Sequence, residues 1–178
     1  MDLMIDLETL STRPDCVVLT IGACLFDPKS EGVVDQITIL PSVDEQLQLG
    51  RHIDDGTLEW WGKQSEEARN EAFSDENRID FRSAMLGLKA FYWQRAEKVW
   101  ANGSCFDITI MENCFRQLEI NIPWQYWQVR DTRTLYELAQ VSLKDNNFVT
   151  SHRAVDDAIR QSVVVQNAYR KLKIFAPA

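Results

Sequence analysis

Cysteine is scarce. The four present, Cys16, Cys24, Cys105 and Cys114, have neither the paired spacing of a zinc site nor the density of a disulfide scaffold, so buried free thiols are the expectation. Long apolar runs are also missing. The longest, 16–26, falls well short of the ~20 residues that cross a bilayer and includes Thr20 and Gly22. No membrane segment is expected. Met1-Asp2-Leu3 has no basic flank or cleavage-like site, which excludes a recognisable secretory signal and makes the cytoplasm the expected compartment. Positive charge is in deficit, with 19 Lys and Arg against 27 Asp and Glu and a formal net charge of -8. That balance argues against a surface that coats nucleic acid broadly, because non-specific duplex binding depends on Lys and Arg neutralising phosphates. Repeats and low-complexity segments are absent as well.

What remains has the composition of an ordinary globular chain, 45% hydrophobic and 26% charged. Its 178 residues fit one domain, 1–178, burying on the order of 70% of the unfolded surface. The pattern begins with a strand around Met4-Ile5-Asp6-Leu7-Glu8. A β-branched, nearly all-apolar run over 16–26 reads as a central strand covered on both faces, and 33–40 as a third strand. Short turns at 9–15 and 27–32 join the three into an antiparallel meander. A short helix is expected to hold Trp60 and Trp61, and the charged stretch 65–78 reads as a solvated connector. Helical spacing of Phe81, Met85, Leu88 and Tyr92 predicts an amphipathic helix over 79–95. Strand 98–101, a helix with Ile108, Met111, Phe115 and Leu118 on its buried face, and strand 126–129 follow as a βαβ-like unit. Helices at 132–141 and 154–172 flank a polar loop at 142–150. The whole reads as one mixed α/β sheet with helices on its faces.

The chemistry starts in the first strand. Successive strand residues point to opposite faces, so Asp6 and Glu8 project together while Ile5 and Leu7 go the other way. Two carboxylates held that close raise one another's pKa unless a cation sits between them, and a hard divalent ion with oxygen ligands fills that role. Asp107 falls in the first turn of a helix just beyond a strand end, where ligands of α/β sheets gather; the helix dipole alone also accounts for an acid there. His152 and Asp157 lie five positions apart, about 140° around a helix, so they share a site only if His152 sits in the preceding loop. Taken alone, His152 reads better as a satisfied surface or core histidine. Trp60 and Trp61 sit ~100° apart, so one of the two can be exposed to stack on a base, although both could equally pack inside.

Asp6, Glu8, Asp107, His152 and Asp157 occur in three ordered motifs: Asp-x-Glu in the first strand, Asn102-x-x-x-Phe106-Asp107 before a helix, and His-x-x-x-x-Asp near the C-terminus. This arrangement resembles the DEDDh 3′-to-5′ exonucleases of the ribonuclease-H-like superfamily. In particular it is similar to the small phage- and prophage-borne 3′-5′ exonuclease/exoribonuclease subgroup. Ile5 to Leu10 with Arg13-Pro14, Thr57 to Trp61, Trp100 to Gly103, Pro123-Trp124, Arg130 to Leu135 and Asp156 to Ala158 all carry that likeness, which covers nearly the whole chain. Arg153 departs from it, since the subgroup more often has Asn after the histidine.

The resemblance implies a ribonuclease-H-like α/β fold: a mixed five-stranded sheet, antiparallel meander first and parallel strands after, with helices on both faces. It also implies hydrolysis of single-stranded or 3′-overhanging RNA or DNA to nucleoside 5′-monophosphates with two divalent cations, Mg2+ or Mn2+, about 3.5–4 Å apart. Asp6, Glu8 and Asp157 would hold the first ion and Asp6 would bridge to the second. Asp107 would contribute largely through water, and His152 would be the general base. Thr9, Leu10, Trp60, Trp61, Asn102, Phe106, Arg130 and Arg133 are the expected substrate contacts. A catalytically weak nucleic-acid-binding domain on the same fold is the alternative. Trp124, Tyr126 and Trp127 could belong to the face of a homodimer as readily as to the core.

Overall fold

The computed structural model describes residues 1–145 and 153–174. Strands β1 (Asp2–Thr9), β2 (Val18–Phe26) and β3 (Val33–Ile39) pair antiparallel in sequence. Helices α1 (Val43–Gln48), α2 (Asp55–Trp61), α3 (Glu66–Ala72) and α4 (Phe81–Tyr92) follow. Next come β4 (Val99–Ala101), α5 (Ser104–Gln117), β5 (Val129–Asp131), α6 (Thr132–Ala139) and α7 (Ala154–Lys171). β4 pairs parallel with β1, and β5 parallel with β4, giving the order β3-β2-β1-β4-β5. This is the expected mixed five-stranded sheet, an antiparallel meander followed by parallel strands.

β1 divides the core by its two-residue period. Leu3, Ile5 and Leu7 pack with α4 and α5, through Phe81, Met85, Leu88, Met111 and Phe115. Met4 points the other way, joining Cys24, Phe26, Trp100 and the α6 and α7 residues Tyr136, Ala158, Val164 and Val165. Each large side chain buried in these layers contributes about 1.5–3 kcal/mol. β2 is buried along its whole length, as a strand covered on both faces must be, whereas β3 forms a largely exposed edge. Several helices open on ordinary side-chain caps: Asp80 accepts from the Ser83 amide at 2.8 Å and Ser65 from Ala68 at 3.2 Å, each worth about 1 kcal/mol. No helix among the described residues is long and apolar enough to cross a membrane.

Three local expectations are corrected. The stretch 65–78 contains helix α3, whose Ala68 and Ala72, one turn apart, tuck under Trp61, Leu10, Val17 and Leu19 in a third apolar cluster. Its charges conceal two small core residues. The last strand lies at Val129–Asp131, and Tyr126–Gln128 is a single 3-10 turn. There Tyr126 and Trp127 are exposed, while Trp124 is in the core and donates its indole N–H to Glu112 at 3.1 Å. Cys105 is exposed on the first turn of α5, unlike the other three buried thiols.

One glycine decides how closely α7 approaches the sheet. Gly22 on β2 stands opposite Asp6, and a Cβ built there would lie 2.1 Å from both the Ala154 carbonyl carbon and the Val155 nitrogen. The backbone at the start of α7 therefore rests directly on β2, with no room for a side chain between them.

Candidate active site

That contact sets the site. With its first turn pressed onto Gly22, α7 brings Asp157 beside Asp6 and Glu8, and one carboxylate oxygen from each of the three lies within 4.8 Å of the others. Glu8 and Asp157 are buried and Asp6 half-buried. Asp107 arrives from the opposite face of the sheet, on the first turn of α5, and is buried too. Its helix starts where it does because Gly103 takes a left-handed φ of 108° and the Ser104 amide donates to Asp131 at 2.6 Å. The four acids thus converge at the C-terminal ends of the parallel strands β1 and β4, the usual ligand end of such sheets.

Burial and like charge act together on these carboxyls. Burial pushes Asp6 up to about 7 against the pull of Gln161, with the Asp157 charge adding to the rise. Glu8 is raised to about 9, first by burial and then by Asp6, Asp157, Asp107 and Glu71. Asp107 is raised well above the carboxylate range, by burial and then by Asp6. Protons or a cation must relieve this crowding. An all-oxygen set of this spacing, with no sulfur or imidazole among its described members, suits a hard divalent ion.

The residues around the acids are more specific than the sequence suggested. Gln161, buried, donates its side-chain amide to Asp6 Oδ1 at 2.7 Å, and its backbone carbonyl accepts the Tyr136 hydroxyl at 2.8 Å. Arg160 pairs with Asp157 at 3.0 Å. Arg153 forms an ion pair with Glu71 on α3 and lies 3.4 Å from Asp156, so Asp156 is engaged at the helix start rather than merely solvated. His152 and the loop 146–151 lie outside the described residues. Of these additions, Gln161 and Arg160 sit four and three residues beyond Asp157, on its side of the helix, and helical spacing alone could have nominated them. Gly22, a glycine inside a strand, carried the ordinary signal of close backbone approach.

A pocket of about 380 Å³ opens beside Glu8, lined by Thr9, Thr12, Asp54, Thr57, Trp60, Trp61 and Phe106, among others. Trp61 is only 2% exposed and its indole donates to the Thr9 carbonyl at 2.9 Å; Trp60 is 42% exposed on the rim, edge-to-face with it at 5.1 Å. The tandem tryptophans therefore divide their work, one a floor and the other an open face. Two expected contacts lie elsewhere. Leu10 is buried in the cluster with Trp61 and does not line the pocket, because its strand end turns it inward. Arg130 is on β5 opposite Trp100, where it donates to the Trp127 and Val129 carbonyls and acts on Tyr169 near the far end of α7. Arg133, by contrast, packs its guanidinium against Gly103 and is close enough to lower Asp107. Asn102 accepts the Thr132 hydroxyl at 2.9 Å, tying the end of β4 to α6.

The family description 3′-5′ exoribonuclease Rv2179c-like domain matches residues 1–169. The chain belongs to this family. It is also 30% identical to the exodeoxyribonuclease of Enterobacteria phage T4, across 95% of this chain and 89% of the phage protein. The exonuclease superposes on E. coli exonuclease I, crystallised with a dT13 oligonucleotide, with TM-score 0.70 and 15% identity over 97% of its length, but spans only 41% of that chain. The nuclease domain of 3′hExo, a DEDDh family member bound to rAMP, gives TM-score 0.60 and 10% identity, covering 94% and 90% of the two chains. At those identities the two structures support the fold. The activity, 3′-5′ exonuclease, rests on the family and the phage relative.

Proposed function

We propose that this 3′-5′ exonuclease removes nucleotides from single-stranded or 3′-overhanging RNA or DNA as nucleoside 5′-monophosphates. The observation that carries the reading is the convergence of Asp6, Glu8 and Asp157 within 4.8 Å, with Asp107 buried beside them. Asp6, Glu8 and Asp157 would hold one divalent cation, and Asp6 with Asp107 would serve a second. Mg2+ or Mn2+ bound there supplies electrostatic stabilisation of the attacking and leaving oxygens of an in-line displacement. Gln161 keeps Asp6 oriented, leaving its second oxygen available. His152, adjacent in sequence to the anchored Arg153, removes the proton from the attacking water near neutral pH.

The terminal nucleotide sits in the pocket beside Glu8. Its base stacks on the open face of Trp60, with Phe106 on another wall and Trp61 as the rigid backing. Arg133, on the α6 side of the acids, meets a phosphate. The net charge of -8 fits this division of labour, because the phosphates are met at the site by cations rather than along a basic surface.

Matched RNA and DNA strands, linear with a 5′ label and circular with an internal label, test the reading with Mn2+ or EDTA. Linear strands should shorten stepwise from the 3′ end only with Mn2+, circles should stay intact, and the relative rates assign the sugar preference. Cut circles, or equal digestion in EDTA, would refute it. Replacing His152 by Ala should lower turnover at least ~10²-fold on the same strands while leaving Mn2+ binding unchanged. A variant as fast as wild type would remove the histidine from the reaction.

A further inference from the structure

Three carboxylates within 4.8 Å of one another need positive charge close by to share a buried space. Asp6 accepts the neutral amide of Gln161 at 2.7 Å. Asp157 receives a full charge: Arg160 Nη2 lies 3.0 Å from Oδ1, with side-chain exposures of 12% and 10% for the arginine and the acid. An arginine usually keeps its guanidinium in water. Here α7 turns it inward, toward the acids and Tyr136. The charge is permanent, because a guanidinium does not deprotonate in a protein.

We propose that Arg160 is a resident counter-cation of the acid cluster, holding Asp157 in place when no divalent ion is bound and weakening the cluster's hold on the ion once it arrives. The first half follows from the ion pair. Without Arg160, the start of α7 would press Asp157 onto two other carboxylates with that buried positive charge removed. The second half follows from like charge: a carboxylate can accept arginine at one oxygen and a metal at the other, so Arg160 need not leave, and a retained guanidinium repels the incoming dication. Arg160 acts through Asp157, as a positioning residue. Its effect is to keep the site assembled while empty and to set metal affinity by repulsion, which makes loading dependent on divalent-ion concentration.

This inference rests on the metal-dependent reading above, and its test keeps the two apart. Arg160→Gln retains a hydrogen-bond donor and removes the charge. In EDTA its thermal midpoint should fall below wild type, in saturating Mn2+ the gap should narrow, and calorimetric titration with Mn2+ alone should give a dissociation constant at least threefold tighter. Arg160→Lys, which keeps the charge, should remain within twofold of wild type. An unchanged or weaker dissociation constant in the Gln variant, or the same loss of midpoint with and without Mn2+, overturns the proposal. If the Gln variant does not fold in either condition, the Lys variant decides, and a shift of threefold or more in either direction overturns the proposal. Wild-type protein that takes up no Mn2+ would sink the functional reading and this inference together; wild-type uptake with an unmoved Gln variant sinks this inference alone.

Discussion

Asp2 and Asp6 lie on the same strand and the same face, four residues apart, and their surroundings differ in one respect. At the Asp2 end a buried carboxylate meets donors and positive charge: the Trp100 indole at 2.7 Å, with Lys98 and the N-terminal amine nearby. At the Asp6 end the neighbours are Glu8, Asp157 and Asp107. Burial raises both acids; at the Asp2 end the indole, Lys98 and the amine pull the carboxyl back, whereas at the Asp6 end Gln161 and Arg160 pull against neighbouring carboxylates that push both Asp6 and Glu8 further up. A buried acid with a donor is part of the architecture. A buried group of acids stores repulsion that a ligand can relieve, and that is the more informative sign of a site.

The sharpest way to break the comparison is to delete one acid from each end. Asp6→Ala should abolish exonuclease activity and calorimetric Mn2+ uptake, while Asp2→Asn should keep both and only weaken the Trp100 hydrogen bond, whose acceptor becomes a neutral amide oxygen, at a cost of about 1 kcal/mol or less. Unchanged Mn2+ uptake in Asp6→Ala would contradict the assignment. Next in size is the contact that brings α7 to the acids. Gly22→Ala puts a methyl carbon 2.1 Å from helix backbone, so α7 must move. We expect a stability loss of about 1–3 kcal/mol or more in urea unfolding, with activity falling by more than the unfolded fraction explains. A substitution that costs stability alone would mean that the acids tolerate displacement of the helix.

The paired tryptophans offer a smaller test of the same distinction between architecture and site. Trp61→Ala removes a buried ring and its bond to Thr9, and should cost about 3–5 kcal/mol of stability. Trp60→Ala should leave the thermal midpoint nearly unchanged and weaken oligonucleotide binding by about 1–3 kcal/mol, read as a raised KM. Similar effects on stability from both would erase the division of roles.

How much of this the sequence disclosed follows from the range of the interactions. Asp6 and Glu8 were legible because strand alternation alone puts them together, whereas Asp157 was named by the His-x-x-x-x-Asp motif of the family resemblance, helix geometry saying only that His152 must precede the helix. The three-strand meander and the long helices followed from periodicity in the same way. Short, local signals misled where composition masked them: Ala68 and Ala72 are two small residues inside a charged run, and Tyr126-Trp127 looks like a strand although both rings are in solvent. Arg130 and Arg133 could not be told apart from sequence, because one lies on a strand whose register sends it toward Tyr169 and the other opens a helix beside Asp107. The bond from Gln161 to Asp6 spans 155 positions, and although Gly22 signals a close approach of backbone, that Ala154 is what seats on it is set by packing. Neither could be read as a motif.

The smallest expected effect is on the pH dependence of stability, and it separates the two ends of β1 without a mutation. Asp6 at about 7 and Glu8 at about 9 stand above their ordinary values of 3.8 and 4.5, so between those limits the folded protein binds more protons than the unfolded chain. Stability in EDTA must then fall as pH rises through that window, since unfolding releases protons. Asp2 is raised as well, but it lies at the far end of the strand, and its contribution lowers the curves with and without metal alike. A divalent ion binds the deprotonated acids and competes with their protons, so its stabilisation grows with pH. The difference between thermal midpoints in Mn2+ and in EDTA should therefore be small at pH 6 and larger at pH 8. Asp2→Asn should leave that difference intact and Asp6→Ala should remove it. A difference that stayed constant with pH would mean that the acids of the cluster are already ionised in the folded protein, and that the crowding at this end of the strand is relieved by some means other than protons or metal.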